Sequence, residues 1–162
     1  MTKQKIVSVV VGVVCALAMT SGTASANPSV IVFNVQNLGD ASAACPGSLF
    51  GLSFDMVAPR GPLLGNGVSC VRSIEGCQFA AGCHDTVDAT FALDFGQGSL
   101  SAQVILNETW LTDTKVLQID KGTVSAGTGD FAGAQGSLLC VGTLQFTTTA
   151  VIPKLVCVLR IN

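Results

Sequence analysis

Charge is scarce in this chain. Only 11% of its 162 residues are charged, against 49% hydrophobic. That balance excludes a disordered or acidic-tail protein. The formal net charge is −2, so no basic field is expected to hold nucleic acid or an anionic membrane. Tyrosine is absent, and tryptophan and histidine occur once each. No C-x-x-C redox pair, G-x-S-x-G elbow, H-E-x-x-H helix or calcium loop occurs. No cofactor is therefore implied by motif. The length fits one domain.

What is present begins with an address. Lys3 and Lys5 precede an apolar run over residues 6–19, and Ala24-Ser25-Ala26 supplies small residues before Asn27. This is the pattern of a secretory signal peptide (residues 1–26) with an A-x-A cleavage site. The run is shorter than the ~20 residues that span a bilayer, so no stable membrane span is expected. Val14 is too bulky for a lipoprotein reading of Cys15. The mature chain, 27–162, then has 136 residues, with six basic and ten acidic side chains. Its expected location is secreted, extracellular or periplasmic.

Six cysteines remain after cleavage. In an exported small domain an even set argues for disulfides. Residues 137–147 and 152–161 read as strands around a turn near Thr149-Ala150, which places Cys140 opposite Cys157. Cys77 and Cys83 flank a short Gly-containing loop that a bridge could close. Cys45 and Cys70 are the remaining pair. A zinc site is disfavoured. Five residues separate Cys77 from Cys83, and His84 is the single histidine. His84 is read as an exposed loop residue, because neighbours on an extended segment point in opposite directions.

Pro and Gly punctuate the mature chain between short runs rich in Val, Thr, Phe, Ile and Leu, a pattern of sandwiches and barrels. Residues 87–106 are the clearest stretch. Val87, Ala89, Phe91, Leu93 and Phe95 alternate with more polar neighbours, and so do Leu100, Ala102, Val104 and Leu106. Period two marks half-buried strands. Gly96-Gln97 between them suits a type II′ hairpin, with Leu93 facing Leu100 and Phe91 facing Ala102. Residues 68–74 fold back onto this hairpin, which sets Arg72 beside Asp88 on the polar face as a cross-strand pair. Were that face to point inward, Arg72, Asp88 and Asp94, with Asp55, would be polar groups of a cavity. Trp110 stacks at an opening or fills the core. Asn107-Glu108-Thr109 is a glycosylation sequon.

Residues 122–136, GTVSAGTGDFAGAQG, resemble the G-G-T-G-x-[FY]-x-G-A-x-G signature of the allene oxide cyclase and dirigent barrel superfamily. The strand-like run Ser-Leu-Leu-Cys-Val-Gly-Thr-Leu-Gln-Phe follows it. The likeness spans roughly residues 50–160. Gly127 and Gly129 would permit positive φ in a tight connection. Phe131 would plug a barrel end, while Gly133, Ala134 and Gly136 would allow close backbone approach.

The resemblance implies an all-β fold, an eight-stranded antiparallel barrel able to hold one small ligand. It also implies dimers or trimers. Three functions stand open. The first is an exported barrel holding a small apolar molecule in a lumen lined by Phe91, Leu93, Phe95, Leu100, Val104 and Trp110. The second is an orienting cyclase or dirigent-like enzyme using the same lumen. The third is a structural or inhibitory protein packed solid. A ligand-holding lumen requires an interior cavity above ~100 Å³, since small-molecule pockets normally reach ~300 Å³.

Overall fold

A computed structural model describes residues 29–77 and 79–162. The segment read as an export signal lies outside the described residues. Eight strands follow one another: β1 (Ser29–Asp40), β2 (Phe50–Val57), β3 (Leu63–Gly76), β4 (His84–Asp94), β5 (Ser99–Thr112), β6 (Lys115–Gly127), β7 (Gly136–Phe146) and β8 (Val151–Ile161). Each pairs antiparallel with the next, and β1 pairs with β8 from Ser29↔Ile161 to Val35↔Leu155. The sheet closes on itself, so no strand edge is left to recruit another chain.

Alternation explains why these segments are strands. On β4 the residues at 85, 87, 89, 91 and 93 are buried, and on β5 those at 100, 102, 104 and 106. The hairpin register sets Leu93 opposite Leu100 and Phe91 opposite Ala102. Gly96 takes φ +79° at the first turn position, the left-handed value that a II′ turn needs there. Phe95 N–H closes the turn on Gly98 O at 3.0 Å.

The two barrel ends differ. The floor end, where the 96–97 turn and both described termini lie, is filled by Met56, Leu93, Leu100, Leu138 and Leu159, none more than 2% exposed. Phe95 and Phe131 pack across it with ring centroids 5.2 Å apart. The 128–135 connection explains part of this. Gly129 has φ +57° and Gly133 has φ +77°. Two of the expected glycine roles are exchanged. Gly127 does not have positive φ; a Cβ there would run into the Phe131 carbonyl oxygen, so the constraint is space. Gly133 has nothing within 4 Å of a Cβ, so its constraint is φ.

The opposite, mouth end carries loops 41–49, 77–83, 113–114 and 147–150. Three disulfides join Cys45 to Cys70, Cys77 to Cys83 and Cys140 to Cys157. The last lies inside the barrel, as cross-strand partners of β7 and β8 that are no more than 1% exposed. The first two staple the mouth loops. Three disulfides mark a chain that matures in an oxidising environment. Among the described residues no helix is long and apolar enough to cross a membrane.

Candidate functional site

The mouth half of the barrel is not filled. A cavity of about 170 Å³ opens there, lined by side chains from all eight strands. Phenylalanine dominates its walls: Phe33 from β1, Phe50 and Phe54 from β2, Phe91 from β4 and Phe146 from β7, with Phe79 from the 77–83 loop. One wall is polar. On β5 the inward alternation through Ala102, Val104 and Leu106 continues to Glu108. On β6 it runs through Val116 to Gln118 and Asp120. Glu108 and Gln118 are direct cross-strand partners, and Leu106 faces Asp120. The β5–β6 hairpin thus projects two carboxyls and an amide into an apolar lumen.

Burial governs their chemistry. Gln118 is 3% exposed and Asp120 is 1% exposed. Removal from water raises the Asp120 pKa to about 7; a hydrogen bond from Gln118 opposes the rise, and the Glu108 charge adds to it. Burial, then the charge of Asp85, raises Glu108 to about 7 as well. Among the described residues, Asp120 Oδ1 and Gln118 Oε1 are buried acceptors with no hydrogen-bond partner. Orphaned acceptors inside a folded protein are rare and costly, each about 1–3 kcal/mol. No Lys, Arg or His lines the cavity among the described residues.

Trp110 shapes the mouth and is not part of the cavity lining. It is 3% exposed, and its Nε1–H donates to Asp85 Oδ2 at 3.0 Å. Its ring stacks on Phe146 at 5.4 Å and meets Phe79 edge-on at 5.3 Å. Backbone bonds from Trp110 N to Cys83 O and from Gly82 N to Trp110 O tie it to the 77–83 loop.

The residues singled out from sequence divide between lumen, floor and exterior. Phe91 lines the cavity. Leu93, Leu100 and Val104 point inward but are packed in the floor half, and Phe95 caps the floor end; none of these four lines the cavity. The polar candidates lie outside. Arg72 and Asp88 occupy the outer face, with side chains 44% and 38% exposed. Arg72 Nη2 donates to Asp88 Oδ1 at 2.6 Å and to Gln103 Oε1 at 2.6 Å, at a bulge where β3 skips one residue against β4. Asp94 accepts from Gly96 N–H in the turn. Asp55 accepts from Asn37 Nδ2 on the outer face. Alternation turns the opposite face of these strands inward, which removes all four from the lumen. His84 opens β4 rather than sitting in a loop; it is exposed, with Nδ1 3.0 Å from Thr109 Oγ1. Asn107 is exposed on the outside of β5.

The exposed Arg72–Asp88 pair should contribute little. A double-mutant cycle with Arg72→Ala and Asp88→Ala is expected to give a coupling below ~1 kcal/mol by urea denaturation. A coupling several times larger would mean that the pair is shielded from solvent.

Reading the residues alone misses the three lumenal polar side chains. A signal exists for one of them. Counting the even positions of β5 two residues further places Glu108 inside, although Asn107-Glu108-Thr109 presents itself first as a sequon. On β6 the run Val116, Gln118, Asp120 breaks the apolar rule at inward positions, so period two alone points the wrong way.

No family model, curated protein or solved structure matches the chain. A disulfide-stabilised, closed eight-stranded barrel encloses a mainly apolar cavity with a polar β5–β6 wall.

Proposed function

We propose that this protein is an exported barrel that holds a small, mainly apolar molecule in its lumen, its polar end against Glu108, Gln118 and Asp120. The carrying observation is the pair of orphaned acceptors, Gln118 Oε1 and Asp120 Oδ1, on two residues that line a cavity of about 170 Å³. A bound donor would remove their cost. Cavities of ~150 Å³ with apolar walls accommodate a benzene-sized guest. Export is supported by the signal-like N-terminal segment and the three disulfides. The signature at residues 122–136 supports kinship with the dirigent and allene oxide cyclase barrels.

An orienting enzyme is the second reading, and one observation favours it. Glu108 and Asp120 both titrate at about 7, where a carboxyl can give or take a proton at neutral pH. Their side chains touch the ligand space, and the rigid wall would restrain a reactive guest.

The first test is mass. The full coding sequence is expressed for export through an oxidising compartment, and the purified protein is weighed by native and then denaturing mass spectrometry. The expected result is an excess mass that vanishes on denaturation, over a chain six hydrogens lighter than its reduced form, as three disulfides require. Uniformly bare protein from several hosts, with no added aromatic molecule retained, would overturn the binding reading.

A further inference from the structure

We propose that the lumen selects a small primary amine in its protonated form, an ammonium on a compact aromatic or alicyclic body. The inference rests on the lumenal-ligand reading above and narrows it to one chemical class.

Donor and acceptor accounting leads there. The polar wall offers acceptors: the Glu108 carboxyl, Asp120 Oδ1 and Gln118 Oε1. The amide of Gln118, the donor on that wall, acts on Asp120 and lowers its pKa. The Ser69 hydroxyl lines the cavity from β3, three strands away from β6 round the barrel. An alcohol supplies one donor, and a carboxylate guest supplies none and meets two acids. An ammonium supplies three N–H donors and no acceptor, so it can serve all three groups of the wall. Bonds between charged partners are also the stronger kind.

Charge points the same way. Asp120 and Glu108 face the cavity from β6 and β5, and Asp85 on β4 acts on Glu108. The remaining strands bring no ionisable side chain to the lining among the described residues, because Cys140 and Cys157 are bridged. Glu108 and Asp120 meet no Lys, Arg or His in the cavity lining among the described residues, and an ammonium guest would supply their counter-charge. Six phenylalanine rings share the remaining wall with aliphatic side chains, and aromatic faces attract cations within ~6 Å. The volume of about 170 Å³ limits the body to a single ring.

Binding should therefore release protons. Burial pushes both carboxyls up to about 7, and a bound ammonium favours their ionised forms. Affinity then rises as pH increases through 7. It falls again near pH ~10, where an alkylamine loses its proton.

The test is isothermal titration calorimetry of the exported, disulfide-intact protein with 2-phenylethylamine, 2-phenylethanol, phenylacetate and ethylbenzene. The amine is expected to bind at pH 8 at least ~10-fold tighter than the alcohol, with phenylacetate weakest, and to weaken by ~10-fold at pH 5.5. Heats in two buffers of different ionisation enthalpy should report proton release. Glu108→Gln and Asp120→Asn, each checked for fold by circular dichroism, should erase the preference for amine over alcohol. If the alcohol or ethylbenzene binds as well as the amine, or the preference survives in both variants, the ammonium inference is wrong and the lumenal reading stands. If all four probes fail to bind folded protein, the lumenal reading falls and takes the inference with it.

Discussion

Reduction of the three disulfides should unfold this barrel. The bridges close separate loops, with sequence separations of 25, 6 and 17 residues. In the chain-entropy treatment such loops contribute about 3.5, 2 and 3 kcal/mol by constraining the unfolded chain. Their combined effect, on the order of 8–9 kcal/mol, is comparable to the ~5–15 kcal/mol stability of a whole domain. The core offers limited compensation, because its mouth half encloses a cavity. Order of reduction is also set by burial. Cys77 is exposed in the mouth loop, whereas Cys140 and Cys157 are 0% and 1% exposed. Mild dithiothreitol should open Cys77–Cys83 first and reach Cys140–Cys157 only as the barrel unfolds. Alkylation followed by peptide mass mapping, alongside far-ultraviolet circular dichroism, reads both events. Retention of a native spectrum after alkylation of all six thiols would show that strand closure alone sustains the fold.

The second large effect is a stability that declines towards alkaline pH. Asp120 and Glu108 have folded-state pKa values raised to about 7, above the ordinary carboxyl values of the unfolded chain. Between ~4 and ~7 the folded state therefore binds more protons than the unfolded state, and stability falls as pH rises. Below that window both states are protonated and the contribution is constant; above it the full destabilisation is present. Its size is on the order of a few kcal/mol for the coupled pair. Asp40 runs the other way. The hydroxyl and N–H of Ser42 hold its pKa below the ordinary value, so its contribution is lost only at lower pH, as it protonates. Urea denaturation of ligand-free protein should give its highest midpoint near pH ~5 and a clearly lower one at pH ~8. Asp120→Asn should raise the midpoint at the higher pH and flatten the slope, since a neutral amide avoids burying a charge. Equal midpoints at the two pH values would place both carboxyls in contact with bulk water.

The two effects separate readily. Reduction acts through the unfolded ensemble and should shift stability at every pH. The carboxyl effect acts through the folded lumen and should vanish in the Glu108→Gln, Asp120→Asn double variant.

Much of the fold was legible in the residues themselves. Period two from Val87 to Leu106, with a Gly-first turn between, set the β4–β5 register, because a one-residue slip would turn every apolar side chain outward. The spacing of Cys140 and Cys157 about a Thr-rich turn placed them opposite one another for the same reason. Strand-rich punctuation and an even cysteine count are local features, readable along the chain. The Arg72–Asp88 contact was likewise a matter of counting back along a hairpin.

Which face is lumenal, and what stands on it, was decided by closure. Alternation divides a strand into two faces but does not say which one a barrel encloses. Pairing of β1 with β8 settles that for every strand at once. It sends Arg72, Asp88 and Asp94 to the outside and brings Glu108, Gln118 and Asp120 inside. The pKa values near 7 follow only then, because desolvation depends on what surrounds a carboxyl in space. Pattern and spacing specified the β4–β5 hairpin, the return of β3 onto it and the Cys140–Cys157 pairing of β7 with β8; the count of eight strands came from the resemblance at residues 122–136. The meeting of two acids and an amide with six phenylalanines in one cavity needed the closed sheet, because it gathers residues as distant along the chain as Phe33 and Cys157.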